Sequence, residues 1–347
     1  KPFLRPPLTI HRGAMRDGLV HPAYHSLEEK EKTLEYMLQH IVNMADLDDD
    51  YIPVLTLDTG AYIIGNAFGA RPLYREDKYL IEPFIHRSED IVKLPTFDPD
   101  RDNFYMNKVF EMFQFMKEET EGKININIHT PQGPLETLST MWESSNFMIS
   151  LRLNPEEVIQ GLGKVAEAII YYLKKQSEIL GDDLGQYNFA MSYNHRPQGT
   201  GIGIGEDIIA LISPEAFKIL IPFYKEISVH FGNLLIHSCG NPSHQLDNIC
   251  NMEGITGIHL SQLKPEQYFD KITRPLVIQS RNDWDDFKDI EYFVKQAKRY
   301  KLRFNIQIQS LEKYMQVGDN INSYDVDLVK KMLKQVKNVV NILYDGS

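Results

Sequence analysis

The sequence predicts a closed (β/α)8 barrel, and three observations carry that expectation. Eight strand candidates, starting near residues 7, 51, 124, 187, 234, 255, 275 and 303, alternate mostly with amphipathic helices. The chain has 347 residues, more than a typical domain yet within reach of one large barrel. No internal repeat, proline-rich linker or break in composition divides it, so residues 1–347 read as a single domain. An open doubly wound sheet is the alternative topology.

Each element has a local reason. Pro7 to Ile10 is a short β-like run. Ser26 opens a helix with Glu29 in capping-box position, and Leu27, Leu34, Met37, Leu38 and Ile41 recur on one face. Tyr51 to Leu57 is a mostly apolar strand candidate ending at Asp58. Asn103 to Glu119 reads as a helix, after which Ile124, Ile126 and Ile128 alternate with Asn125, Asn127 and His129 at the strand period. Asn154 is an N-cap followed by Pro155 at the first helical position, leading a helix to about Leu180. Tyr187 to Tyr193 is the next strand candidate. Ser213-Pro214-Glu215 starts a helix whose Phe217, Ile221 and Tyr224 share a face, with Pro222 expected to kink it. Strands at Leu234 to His237, Ile255 to His259, Pro275 to Gln279 and Arg303 to Ile308 follow, with helices at Gln245 to Met252, Trp284 to Tyr300 and Asp325 to Lys337.

Composition excludes several function classes. With 42% hydrophobic and 24% charged residues the chain is an ordinary water-soluble globular protein. A net charge of -11 opposes attraction to nucleic acid or anionic lipid, while leaving room for a local basic pocket. No apolar run approaches the roughly 20 residues that span a bilayer. The two cysteines, Cys239 and Cys250, make no disulfide framework, which points to the cytoplasm. The sequence begins at Lys1 rather than Met, so removal of a signal peptide stays open.

In a barrel, residues just past each strand gather at one rim, where chemistry is placed. Those positions hold Arg12 and Arg16, Asp58, His129, His195, Asp207, His237, Cys239 and His259. The sharpest feature is His237-Ser238-Cys239-Gly240-Asn241, directly after an apolar strand. Alternate strand residues share a face, so His237 and Cys239 can meet one metal ion; the structural alternative is a buried His and Cys before a glycine turn. Cys250, on the following helix, reads as a core thiol. Glycines 199, 201, 203 and 205 do not fit a nucleotide-binding fingerprint and read as a mobile loop, with Glu206 and Asp207 entering the cleft. His129 is in phase with Asn125 and Asn127, which keeps a hydrogen-bonded core role open beside a rim role.

These segments resemble the uroporphyrinogen decarboxylase superfamily, which includes cobalamin-dependent methyltransferases. The resemblance rests on Ile212-Ser213-Pro214-Glu215-Ala216-Phe217, His237-Ser238-Cys239-Gly240-Asn241, Gly254-Ile255-Thr256-Gly257-Ile258, Ala67-Phe68-Gly69-Ala70 and Gly133-Pro134, and it spans nearly the whole chain. It implies a (β/α)8 barrel with a deep rim cleft. On the methyltransferase side it implies zinc on His237 and Cys239, a thiol acceptor, and a corrinoid methyl donor presented by a carrier protein. That branch has a further cysteine ligand downstream, but none follows Cys250 here. His259, ending the neighbouring strand, is the candidate third ligand. On the decarboxylase side, Arg12 and Arg16 would grip substrate carboxylates and Asp58 would stabilise developing positive charge, without metal. Ile308 stands where those enzymes carry a histidine. The expected function is methyl transfer on a small-molecule substrate, with His237, Cys239 and Asp58 catalytic and Arg12, Arg16, His129, His195, Asp207 and His259 lining the substrate site. Decarboxylation of a tetrapyrrole-like substrate is the first alternative and a non-catalytic tetrapyrrole or metabolite binder the second; a homodimer is the expected assembly.

Overall fold

The computed structural model describes residues 8–10, 25–43, 45, 47–57, 63–75, 78–101, 103–181, 201–279, 283–284, 287–308, 310–311 and 326–345. Besides a short parallel pair of Asp283–Trp284 with Ser310–Leu311, its parallel strands are β1 (Leu8–Ile10), β2 (Val54–Leu55), β3 (Asn125–Ile126), β4 (Ile202–Gly205), β5 (Leu234–Ser238), β6 (Ile255–Leu260), β7 (Val277–Gln279) and β8 (Arg303–Ile308). Six of them form one sheet in the order β1-β8-β7-β6-β5-β4, every neighbouring pair parallel, and β2 and β3 form a separate parallel pair. Isolated contacts reach beyond these ladders. Gln132, past β3, bridges to Gly205 of β4. The Asp50 amide, before β2, donates to the Leu8 carbonyl of β1 at 2.9 Å.

The helices are α1 (His25–Glu28), α2 (Lys30–Asn43), α3 (Ile63–Asn66), α4 (Phe104–Glu119), α5 (Pro134–Met141), α6 (Ser144–Leu153), α7 (Pro155–Leu180), α8 (Pro214–Phe217), α9 (Ile221–Phe231), α10 (Leu246–Asn251), α11 (Phe287–Arg299) and α12 (Val326–Asp345). The molecule is thus mixed α/β with a parallel sheet, and crossovers separate the strands as parallel pairing requires, carrying α-helices everywhere except between β6 and β7, where two 3-10 turns stand. Asn154 stands at the N-cap position of α7 and Pro155 begins the helix, as the sequence predicts. Val158, Leu162, Val165, Ile169 and Leu173 of α7 are all fully buried, a stripe at helical spacing that packs on α4, α5 and α9. Each such side chain contributes about 1.5–3 kcal/mol by leaving water. Among the described residues, no helix is long and apolar enough to cross a membrane.

Four expectations need correction. First, Ile202–Gly205, in the glycine-rich stretch that reads as a mobile loop, is a parallel strand; the fourth strand candidate, 187–193, lies outside the described residues. Glycine is a poor strand former, which hides the pattern, yet close approach demands it here. Gly201 has φ +79, and a Cβ on it would overlap the Asn233 carbonyl. At Gly205 a Cβ would stand 2.8 Å from Gln132 Oε1. Second, the helix expected from Ser213 is not one unbroken α-helix: a 3-10 turn divides it into α8 and α9 just before Pro222. Pro222 is the second residue of α9, after the 3-10 turn at Lys218–Leu220, and in a first turn its missing amide costs little. Third, the helix expected from Ser26 is divided at Glu29 into α1 and α2. Fourth, Trp284 is extended, pairing Asp283–Trp284 with Ser310–Leu311, and α11 starts only at Phe287. The antiparallel hairpin of Pro72–Arg75 with Lys78–Ile81 is an element that the sequence pattern does not announce.

The register between β5 and β6 is irregular. Leu234 pairs with Ile255, but Leu235 pairs with Gly257, so Thr256 is an extra residue in β6. The shift sets His237 opposite His259. Gly205, His237, His259, Gln279 and Asn305 then fall in one cross-strand row.

The tight seat of β4 is testable with two glycines of nearly equal φ. Gly232, at φ +78, has open space around its Cβ position, so Gly232→Ala costs only the left-handed strain of about 1–2 kcal/mol. Gly201→Ala adds the clash with Asn233 and should cost about 1–3 kcal/mol more in denaturant titrations. Equal losses for the two variants would refute this packing of β4 on β5.

Candidate metal centre

Two adjacent parallel strands build the site. β5 ends at Ser238, and its penultimate residue, His237, is buried, with Cys239 one step past the end. Gly240, at φ +73, turns the chain there, its amide donating to Gln262 Oε1 at 3.0 Å. Next door, β4 ends at Gly205, the register partner of His237, and a 3-10 turn, Asp207–Ala210, follows Glu206. Asp207 therefore stands just above the strand ends beside Cys239, and its Oδ1 accepts the Cys239 amide at 2.7 Å.

Cys239 Sγ lies 3.4 Å from His237 Nε2, and that nitrogen lies 3.7 Å from Asp207 Oδ1. One donor atom from each of Asp207, His237 and Cys239 lies within 4.8 Å of the others. Tetrahedral zinc with ligand bonds near 2.0–2.3 Å needs donor separations of roughly 3.3–3.8 Å, so the two measured edges already suit it. The electrostatics agree. Burial pushes the His237 imidazole down to about 4 against the pull of Asp207, so at neutral pH it is the uncharged form that metals take. Burial pushes the Cys239 thiol up, the Asp207 carboxylate adds to the rise, and the Ser261 hydroxyl opposes both. Without a nearby cation Cys239 is a thiol rather than a free nucleophile, which suits a ligand better than an attacking group.

His259 is not positioned as the sequence suggested. It is fully buried, and its Nδ1 meets His237 Nδ1 at 2.9 Å, on the ring edge away from the Nε2 that faces Cys239. One of these two nitrogens carries the shared proton. His259 thus backs His237 and fixes its orientation, and the oxygen donor of the group comes from Asp207, which the sequence places among substrate contacts. His129 is also buried. Gln176 of α7 clamps its backbone, accepting from its amide at 2.8 Å and donating to its carbonyl at 3.2 Å, and its ring lies edge-on to Tyr172. Cys250 is buried on α10, as expected. Arg12, Arg16, Asp58 and His195 lie outside the described residues.

Sequence reasoning expects Glu206 in the cleft, but it is fully buried and turned the other way, under the N-terminus of α5. Its Oε1 accepts from the Leu135 amide at 3.1 Å and its Oε2 from the Glu136 amide at 2.8 Å. Gly133 leaves the room for it, because a Cβ there would overlap the carboxyl. Glu136 in turn accepts the Ile208 amide at 2.7 Å. Sequence reasoning misses the role of Glu136 altogether; the only local signal is Gly133-Pro134 before an acidic first turn.

No protein-family model matches this sequence, and no curated protein matches it. Among solved structures, a methyltransferase from Methanosarcina mazei is similar over 99% of this chain and 96% of its own, with a TM-score of 0.64 and 14% identity. At that identity the likeness is one of fold.

The buried acid gives a pH signature. Burial, reinforced by the Glu136 carboxylate, pushes Glu206 up to about 8, against the opposing pull of Tyr224 and of the two amides. In the unfolded chain it ionises near 4.5. Between those values the folded state holds the extra proton, so this group's contribution to stability is greatest at low pH and declines as pH rises towards 8. His237, held below its ordinary value, pulls the other way in the lower part of that window, so the signature is a difference: in metal-free protein, wild type should lose stability relative to Glu206→Gln as pH rises from about 4.5 to 8. A wild-type slope that matches the variant's would show that Glu206 is ionised throughout.

Proposed function

We propose that this chain is a methyltransferase-like enzyme of the uroporphyrinogen decarboxylase superfamily, folded as one closed (β/α)8 barrel with a zinc centre at its rim. The single observation that carries the reading is the meeting of Asp207 Oδ1, His237 Nε2 and Cys239 Sγ within 4.8 Å at the ends of neighbouring parallel strands. The barrel reading is supported by the strand order, with β1 beside β8 and β8 to β4 neighbours in turn, by the pairing of β2 with β3, and by the Gln132–Gly205 and Asp50–Leu8 contacts where the ladders stop.

Asp207, His237 and Cys239 would hold the ion, and three protein donors are the number that leaves a tetrahedral metal one position for a reactant. Zinc there would supply a Lewis acid that lowers the pKa of an acceptor thiol. The chain's own part is to keep His237 neutral by burial, to orient its ring through His259, and to hold the Asp207 carboxylate on the Cys239 amide. The resemblance supplies the rest of the reading: a small thiol as methyl acceptor and a corrinoid, presented by a carrier protein, as methyl donor.

Metal analysis of protein purified without chelator should find about one zinc per chain, and Cys239→Ser should weaken its binding about 10–100-fold or more by removing the thiolate. Methyl transfer from a methylated corrinoid to a thiol should fall with it. Metal-free protein that releases carbon dioxide from a carboxylated tetrapyrrole would replace this reading by the decarboxylase.

A further inference from the structure

Asp207 differs from the other two donors in how it is supported. It sits in a short turn rather than on a strand, and its side chain is 43% exposed, against 4% for His237. A ligand so placed would swing freely unless something fixed the turn. The residues on either side of it are fixed from α5. Glu206 accepts the Leu135 and Glu136 amides, and its own amide donates to the His237 carbonyl at 2.9 Å. Ile208 donates its amide to Glu136 Oε2 at 2.7 Å, and the Asp207 amide is drawn to the same carboxylate.

Each acidic residue therefore caps the segment that carries the other. We propose that Glu136 and Glu206 form a reciprocal clasp whose function is to position the Asp207 carboxylate for the metal, an inference that rests on the zinc reading of this site. A plain helix cap would explain Glu206, since a carboxylate at the start of α5 satisfies amides that have no partner within the helix. It does not explain Glu136, whose carboxylate reaches out of α5 to the turn. With both in place, residues 206 to 208 are tied to α5 and to β5, and the remaining freedom of Asp207 is its side-chain rotation. The Cys239 amide removes that, holding Oδ1 at 2.7 Å. Glu136 and Glu206 touch none of the donor atoms; they are positioning residues.

The test uses full-length Glu136→Ala and Glu136→Gln, because Glu136 is the member of the pair that a helix cap does not explain. Zinc affinity is read by competition with a chromophoric chelator, and amide hydrogen exchange at Cys239 is read in metal-free protein. Glu136→Ala should weaken zinc about 10–100-fold, as loss of a supporting partner around a metal does, while Glu136→Gln, which keeps a carbonyl for the Ile208 amide, stays within about threefold of wild type. Cys239 exchange should quicken about tenfold in Glu136→Ala, with the Val294 amide of α11 unchanged as a control for global opening. Unchanged zinc affinity in Glu136→Ala, or an equal loss in Glu136→Gln, would overturn the clasp. A wild-type protein that binds no zinc removes the metal reading instead, and the Cys239 exchange rates then decide the clasp alone: quickened exchange sustains it and unchanged exchange ends it.

Discussion

The extra residue in β6 is the constraint on which the site depends. Side chains alternate across a sheet with a period of two, so a one-residue change of register exchanges one face for the other. Were Thr256 absorbed into regular pairing, His237 would face Ile258, and the imidazole that now backs it would be replaced by an aliphatic chain. The bulge is confined to the start of the strand, between Leu234 and Leu235, so regular pairing resumes before the histidines are reached. Gly257 follows it closely, with Val277 O and Leu235 Cδ1 near 3 Å from where a Cβ would sit. A bulge followed by a residue without a side chain lets β6 pack flat between β5 and β7 while carrying the offset.

The second organising fact is the concentration of acid around one sheet edge. Asp207, Glu136 and Glu206 come from two segments, and one of the three is wholly buried. Burying carboxylates is costly unless donors or counter-charge meet them. Here backbone amides do so: Leu135 and Glu136 for Glu206, Ile208 for Glu136, Cys239 for Asp207. Amides offset part of the cost, and the raised proton affinities of Glu136 and Glu206 show that part remains. Glu206 thus keeps its proton at neutral pH, and Asp207 is the acid that faces the donor set at Cys239.

How far the sequence spoke for itself depended on whether the signal was local. The long helix α7 was legible because its cap, its proline and its apolar stripe all lie within one segment. β5 and β6 were legible because strands buried on both faces read as apolar runs. β4 was not, since the close contacts that demand its glycines, with Asn233 and Gln132, involve residues distant in sequence. The same division holds at the site. His237 and Cys239 were readable two residues apart, whereas the association of Asp207 with them follows from strand neighbourhood, and the place of His259 follows from a bulge. Glu206 misled because an acidic residue after a strand suggests a cleft, and only Gly133 on another segment reveals the hole it fills.

The chain distance between the donors has a consequence for assembly. Asp207 and Cys239 are 32 residues apart, joined by one crossover that runs from just past β4 through α8 and α9 to the end of β5. The entropy lost in closing a loop grows only slowly with its length, and this loop is short on the scale of the whole chain. An ion held between its two ends would act as a staple on one crossover, restricting the unfolded chain much as a cross-link does. The donors would then come together when that one unit closes, before the two ends of the chain have met.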